Sequence, residues 1–136
     1  MGTAPAGYKK LECHNIDTGE LKGYLATLRN YAILTMNKEE GAWVQWRQKD
    51  TSLYLAKDTE PNDRFLGLAE RGYGGWGLQG TDWAHALTYD ASRHTIALSG
   101  TKRFLYGPYE TLGSGYACWS EEGGSNSNIL KCIMVD

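Results

Sequence analysis

Tyr73 and Trp76 sit in the glycine-rich run ERGYGGWG, shortly after Asn62, Asp63 and Arg64. Such a set has a definite chemistry. A sugar ring offers apolar C–H faces fringed by hydroxyls, so its site needs an aromatic platform beside carboxylates, amides or a guanidinium group. Tyr73 and Trp76 are candidates for the platform, with Asn62, Asp63 and Arg64 as hydrogen-bonding partners. Tyr109, Glu110 and Trp119, in PYETLGSGYACW, form a second set of the same kind. Trp76 and Trp119 equally suit a core, because tryptophan buries a large area. Tyr73, flanked by glycines, has the least backbone reason to be buried.

Catalytic chemistry finds less. His14, His85 and His94 are scattered, and no His-x-x-x-His pair, Gly-x-Ser-x-Gly run, P-loop or dinucleotide fingerprint occurs. No metal site, catalytic set or cofactor is therefore expected, and the reading leans away from an enzyme. A Cys118 nucleophile helped by a histidine is the enzymatic alternative. Glu39-Glu40 and Glu121-Glu122 read as solvated turn residues. Cys13, Cys118 and Cys132 have no metal-type spacing and read as buried thiols, with a Cys13–Cys132 bridge as the alternative.

Fourteen basic against sixteen acidic side chains leave a net charge of −2, so no field draws nucleic acid or an anionic membrane. No run of about 20 apolar residues offers a membrane span, and MGTAPAGYKK does not read as a signal peptide. A soluble, cytoplasmic protein is expected. At 136 residues the chain is expected to be one domain, 1–136, with 1–7 a flexible tail.

The elements that must position these residues are short strands. Seventeen glycines and nine tyrosines against three prolines favour many tight turns between aromatic-rich strands. Twelve such runs follow: Leu11–Ile16, Gly23–Leu28, Ala32–Met36, Ala42–Arg47, Leu53–Ala56, Phe65–Leu68, Trp76–Gly80, Ala84–Tyr89, Thr95–Ser99, Phe104–Gly107, Tyr116–Ser120 and Ile129–Val135. No segment holds a helical apolar spacing, and NKEEG reads as a hairpin turn.

The runs repeat. GYLATL, RFLGLA and RFLYGP carry Tyr24, Phe65 and Phe104 in step, 41 and 39 residues apart. Trp43, Trp83 and Ile129 each stand seven residues before an aspartate: Asp50, Asp90 and Asp136. These carboxylates are expected to accept hydrogen bonds from the turn amides that follow. A period of about forty residues gives three units of four strands.

An all-β chain of three such pseudo-symmetric units resembles the β-trefoil superfamily over essentially its whole length. That resemblance implies a six-stranded barrel capped by three hairpins. The ricin-type lectin branch has Gln-x-Trp in each unit, whereas here Gln45 and Trp46 are adjacent. RFLYGPYETLGSGYACW after HTIALSG also looks like the fascin and hisactophilin branch, whose members bind actin.

Fold alone does not fix function. From the start of the second strand's aromatic to the third strand the gaps are eight, eleven and twelve residues, so the second and third units carry the longer loops. Loops on a rigid scaffold are where binding residues gather. The leading expectation is a carbohydrate-binding lectin whose partners are glycans, with oligomerisation a route to multivalency. A protein-binding trefoil, of actin-binding or protease-inhibitor type, is the alternative, and a small enzyme with a pocket in the barrel is the third reading.

Overall fold

The computed structural model describes residues 7–28, 31–47, 52–55, 64–68, 74–77, 88–98, 102–108, 116–122 and 129–136. Most of them are strand: β1 Lys10–Asn15, β2 Leu21–Leu28, β3 Tyr31–Thr35, β4 Val44–Arg47, β5 Ser52–Leu55, β6 Arg64–Leu68, β7 Gly74–Gly77, β8 Thr88–Asp90, β9 Thr95–Leu98, β10 Lys102–Pro108, β11 Tyr116–Glu122 and β12 Leu130–Val135. The chain is all-β. Among the described residues the one helical element is a 3₁₀ turn at Lys38–Glu40.

That turn falls where the sequence reads as a simple hairpin connection. Its cause is local: the Asn37 side chain accepts from Glu39 N at 3.1 Å, and Gly41 N donates to Lys38 O at 3.0 Å. Lys10 then secures it from beneath, its buried amine reaching the Gly41 carbonyl and lying 4.3 Å from the Trp43 ring centroid. Burial is the chief reason the Lys10 amine titrates below its ordinary range.

Two sets of pairings organise the strands. The first runs in a closed circuit. β1 meets β4 through reciprocal hydrogen bonds between Lys9 and Val44, β4 pairs with β5, β5 with β8 and β8 with β9. Cys132 N on β12 donates to His94 O, just before β9, at 2.7 Å, and β12 pairs with β1 along six residues. The second set is three hairpins, β2–β3, β6–β7 and β10–β11, which extend from β1, β5 and β9. They converge on one another: Tyr31 of β3 faces Gly75 of β7, Tyr116 and Ala117 of β11 face Leu34 and Ile33 of β3, and β7 and β11 lie side by side.

The core follows the two-residue alternation of the strands. Leu11 and Cys13 of β1, Ala32 and Leu34 of β3, and Leu130 and Cys132 of β12 point inward, joined by Leu25, Val44, Leu53, Leu55, Leu66, Trp76, Tyr89 and Ile96. Gly23 is a bulge position where β1 and β2 shift register. Its φ is +138°, and a Cβ there would stand 2.8 Å from the Thr35 carbonyl oxygen.

Candidate functional site

The connections singled out by the sequence join the strands of the three hairpins. β2 ends at Leu28 and β3 starts at Tyr31, so two residues connect them; 69–73 connect β6 to β7, and 109–115 connect β10 to β11. The longer connections carry Tyr73 and Tyr109–Glu110. Those three residues, with Asn62 and Asp63, lie outside the described residues. The strands that follow them are described: Gly75, next to the first position of β7, faces Tyr31 at the first position of β3, whereas Tyr116, at the first position of β11, faces Leu34 near the other end of β3.

Tyr31 is the residue that sequence reasoning missed. The residue is 44% exposed, and its cross-strand neighbours are Gly75, which has no side chain, and Leu28. The signal was available in part, since Tyr31 directly follows the shortest of the three hairpin turns. Its opposition to Gly75 joins positions 44 residues apart, which no local pattern reveals.

Two proposed ligand contacts are placed. Arg64 opens β6, opposite Leu55, and its Nη1 donates to Trp76 O at 3.5 Å. It is half-buried. Trp76 is fully buried, and its indole Nε1 donates to Ala26 O at 3.4 Å. That location corrects the expectation of a sugar platform: both ring faces are sealed in the core, because a tryptophan centred on a four-residue strand is the largest apolar group available to fill it. Trp119 belongs to β11, opposite Leu105.

Three polar clusters elsewhere have structural explanations. Glu12, His14 and Tyr24 are linked across β1 and β2, with His14 Nε2 2.7 Å from Glu12 Oε1, His14 Nδ1 3.1 Å from Gly19 O, and Tyr24 Oη donating to Glu12 Oε2 at 3.3 Å. Both imidazole nitrogens face protein acceptors, which ties the ring to the β1–β2 connection. Burial, then the Glu12 carboxylate, holds the Tyr24 phenol above its ordinary range. Arg47 lies 3.9 Å over the Tyr54 ring, donates to Gln45 Oε1 at 2.7 Å and reaches Tyr8 Oη at 3.4 Å, fastening the segment before β1 to β4.

The third cluster surrounds the β8–β9 turn. Asp90 Oδ1 accepts from Ser92 N at 2.9 Å and Arg93 N at 3.1 Å, as expected for that aspartate. His94 follows with φ +60°. Tyr89 Oη donates to Cys132 O at 2.8 Å and lies 3.3 Å from His94 Nδ1. Asp136 behaves differently: exposed at the last position, it pairs with Lys9 at 3.4 Å. Asp50 lies outside the described residues, as do His85 and the Cys118 side chain. Asn15 does the turn-closing job at β1, its Oδ1 accepting from Asp17 N at 2.9 Å and Thr18 N at 3.0 Å.

Among the described residues no group of three or more His, Cys, Asp or Glu could hold a metal ion, and no helix is long and apolar enough to cross a membrane. No protein-family model matches this chain, and neither a curated protein nor a solved structure matches it.

Proposed function

We propose that the chain is a β-trefoil of twelve strands in three units, and that it binds carbohydrate at the hairpin junction. The fold reading is supported by recurrence. Pairings β1–β2, β5–β6 and β9–β10 are equivalent under a shift of four strands, as are β2–β3, β6–β7 and β10–β11, and as are β4–β5, β8–β9 and β12–β1. A closed circuit of six strands with three converging hairpins leaves few open sheet edges.

The observation that carries the functional reading is the exposed Tyr31 opposite Gly75, one residue into the strand that the tyrosine-bearing connection 69–73 enters, while the connection 109–115 enters β11 opposite Leu34 of the same strand β3. A partly exposed aromatic on a strand, with connections whose sequences carry hydroxyl and carboxylate groups, has the chemistry a sugar ring requires. In this reading Tyr73, Tyr109 and Glu110 supply the remaining contacts, and Asn62, Asp63 and Arg64, which precede or open β6, belong to the other end of that strand. Trp76 acts only through the core.

A glycan array on the full chain tests this. Specific hits are expected, and Tyr31→Ala, Tyr73→Ala and Tyr109→Ala should each weaken them at least tenfold while leaving the thermal transition within a few degrees. A blank array overturns the reading. The alternative of a protein-binding trefoil is favoured by one observation, the exposure of Met36, at 63%, just past the end of β3. Cosedimentation with actin filaments or inhibition of a protease, lost in Met36→Glu, would identify it.

A further inference from the structure

We propose that Cys13 and Cys132 are a disulfide-forming pair that staples the first strand of the chain to the last. The two residues are direct partners in the β1–β12 ladder, both are fully buried, and both thiols are free in this structure. Whether such a pair can bridge depends on which kind of ladder position it occupies. In antiparallel sheets, pairs that exchange backbone hydrogen bonds alternate with pairs that do not, and the latter bring their Cα atoms to about 4.5 Å.

Two separate bonds assign Cys13 and Cys132 to the second kind. Ile16 N donates to Ile129 O at 2.9 Å, so that pair exchanges bonds, and stepping along the ladder makes 14 with 131 a bonded pair and 13 with 132 a non-bonded one. Independently, Cys132 turns both backbone groups away from β1: its N–H goes to His94 O and its carbonyl accepts from Tyr89 Oη. A Cα separation of about 4.5 Å falls inside the range of roughly 4.4–6.8 Å found for disulfides. Being directly opposite, the side chains lie on the same face of the sheet, here the core face.

Formation proceeds by thiol–disulfide exchange with a small disulfide such as oxidised glutathione. One cysteine thiolate attacks the donor and releases one glutathione thiol, and the second attacks the mixed disulfide and releases the other. Two thiol protons and two electrons leave the protein, and the donor is reduced to two thiols. In the folded chain neither sulfur is reachable, and burial, with the Cys132 thiol alongside, holds the Cys13 thiol in its protonated form. The bridge therefore forms while the chain folds, and once formed it is shielded from reductants in the same way. Cys118, on β11, is no register partner of either residue.

The test is refolding of the full chain from denaturant with oxidised and reduced glutathione, alkylation of remaining thiols, and mapping of a non-reduced digest. The expected result is a peptide joining Cys13 to Cys132, with Cys118 alkylated and a thermal midpoint about 10 °C above that of protein refolded in reductant. The midpoint gain should be absent in Cys13→Ser and in Cys132→Ser, compared under both conditions. Three alkylated cysteines, a bridge that uses Cys118, or a 13–132 bridge that leaves the midpoint unchanged would each overturn the proposal.

Discussion

At the scale of single residues, the polar groups that matter are those that close turns or cross the core. Tyr89 is the most telling, because burial is the main reason its phenol is pushed up to about 12. A folded value above the unfolded one, near 10, means that the neutral phenol's contribution is complete below about pH 10 and is lost as pH rises toward 12. Alkaline unfolding should therefore steepen over that window, and Tyr89→Phe should flatten it, as followed by circular dichroism. At neutral pH the same substitution leaves the Cys132 carbonyl without its 2.8 Å donor, a cost of about 1–3 kcal/mol. Asp90 has the opposite sign: the Ser92 hydroxyl, then the Arg93 amide, hold its carboxyl below the usual range. Its contribution is present above about pH 4 and lost on acidification through the folded value, so Asp90→Asn should unfold with less dependence on pH there. Asn15, buried and uncharged, closes its turn without pH dependence, and Asn15→Ala should cost about 1–3 kcal/mol by urea titration.

At the scale of elements, the strands were legible because their signal is local. Alternating apolar residues bounded by glycine, asparagine and aspartate need no distant partner to be read, and each expected run overlaps a strand, with ends moved by a few residues. What escaped was set by partners far along the chain. Trp76 reads as a platform because its neighbours are glycines, yet the groups that bury it come from other strands, including the Ala26 carbonyl fifty residues away. The 3₁₀ turn is the exception, since its own hydrogen bonds are local and only its anchoring to Lys10 of β1 comes from afar. Trp76→Ala should then act on stability, losing about 3–5 kcal/mol in urea denaturation, rather than on ligand binding alone. The β1–β2 hairpin offers a sharper comparison between two glycines of positive φ. Gly19, with nothing within 4 Å of a Cβ, should tolerate alanine for about 1 kcal/mol, the cost of the backbone conformation. Gly23→Ala adds a collision with the Thr35 carbonyl and should cost at least about 2 kcal/mol, measured side by side.

At the scale of the whole molecule, stability rests on closure between the ends of the chain. β1 is bound by β12 on one side and β2 on the other, with Lys9 reaching β4, so the first and last strands complete the same circuit. Pairings of such sequence separation are invisible in any local window, and they carry a loop-closure cost that is repaid only when both strands dock. Unfolding should accordingly be one cooperative event rather than a peeling of units. Removing residues 130–136 strips β1 of its partner, takes Leu130 and Cys132 from the core, and leaves the Tyr89 hydroxyl without its acceptor. The truncated chain should lose its thermal transition altogether, whereas a chain of independently stable units would keep two thirds of its strand signal. Circular dichroism at 217 nm, read against the intact chain, separates the two, and a surviving cooperative melt would place the stabilising contacts within units instead of across the closure.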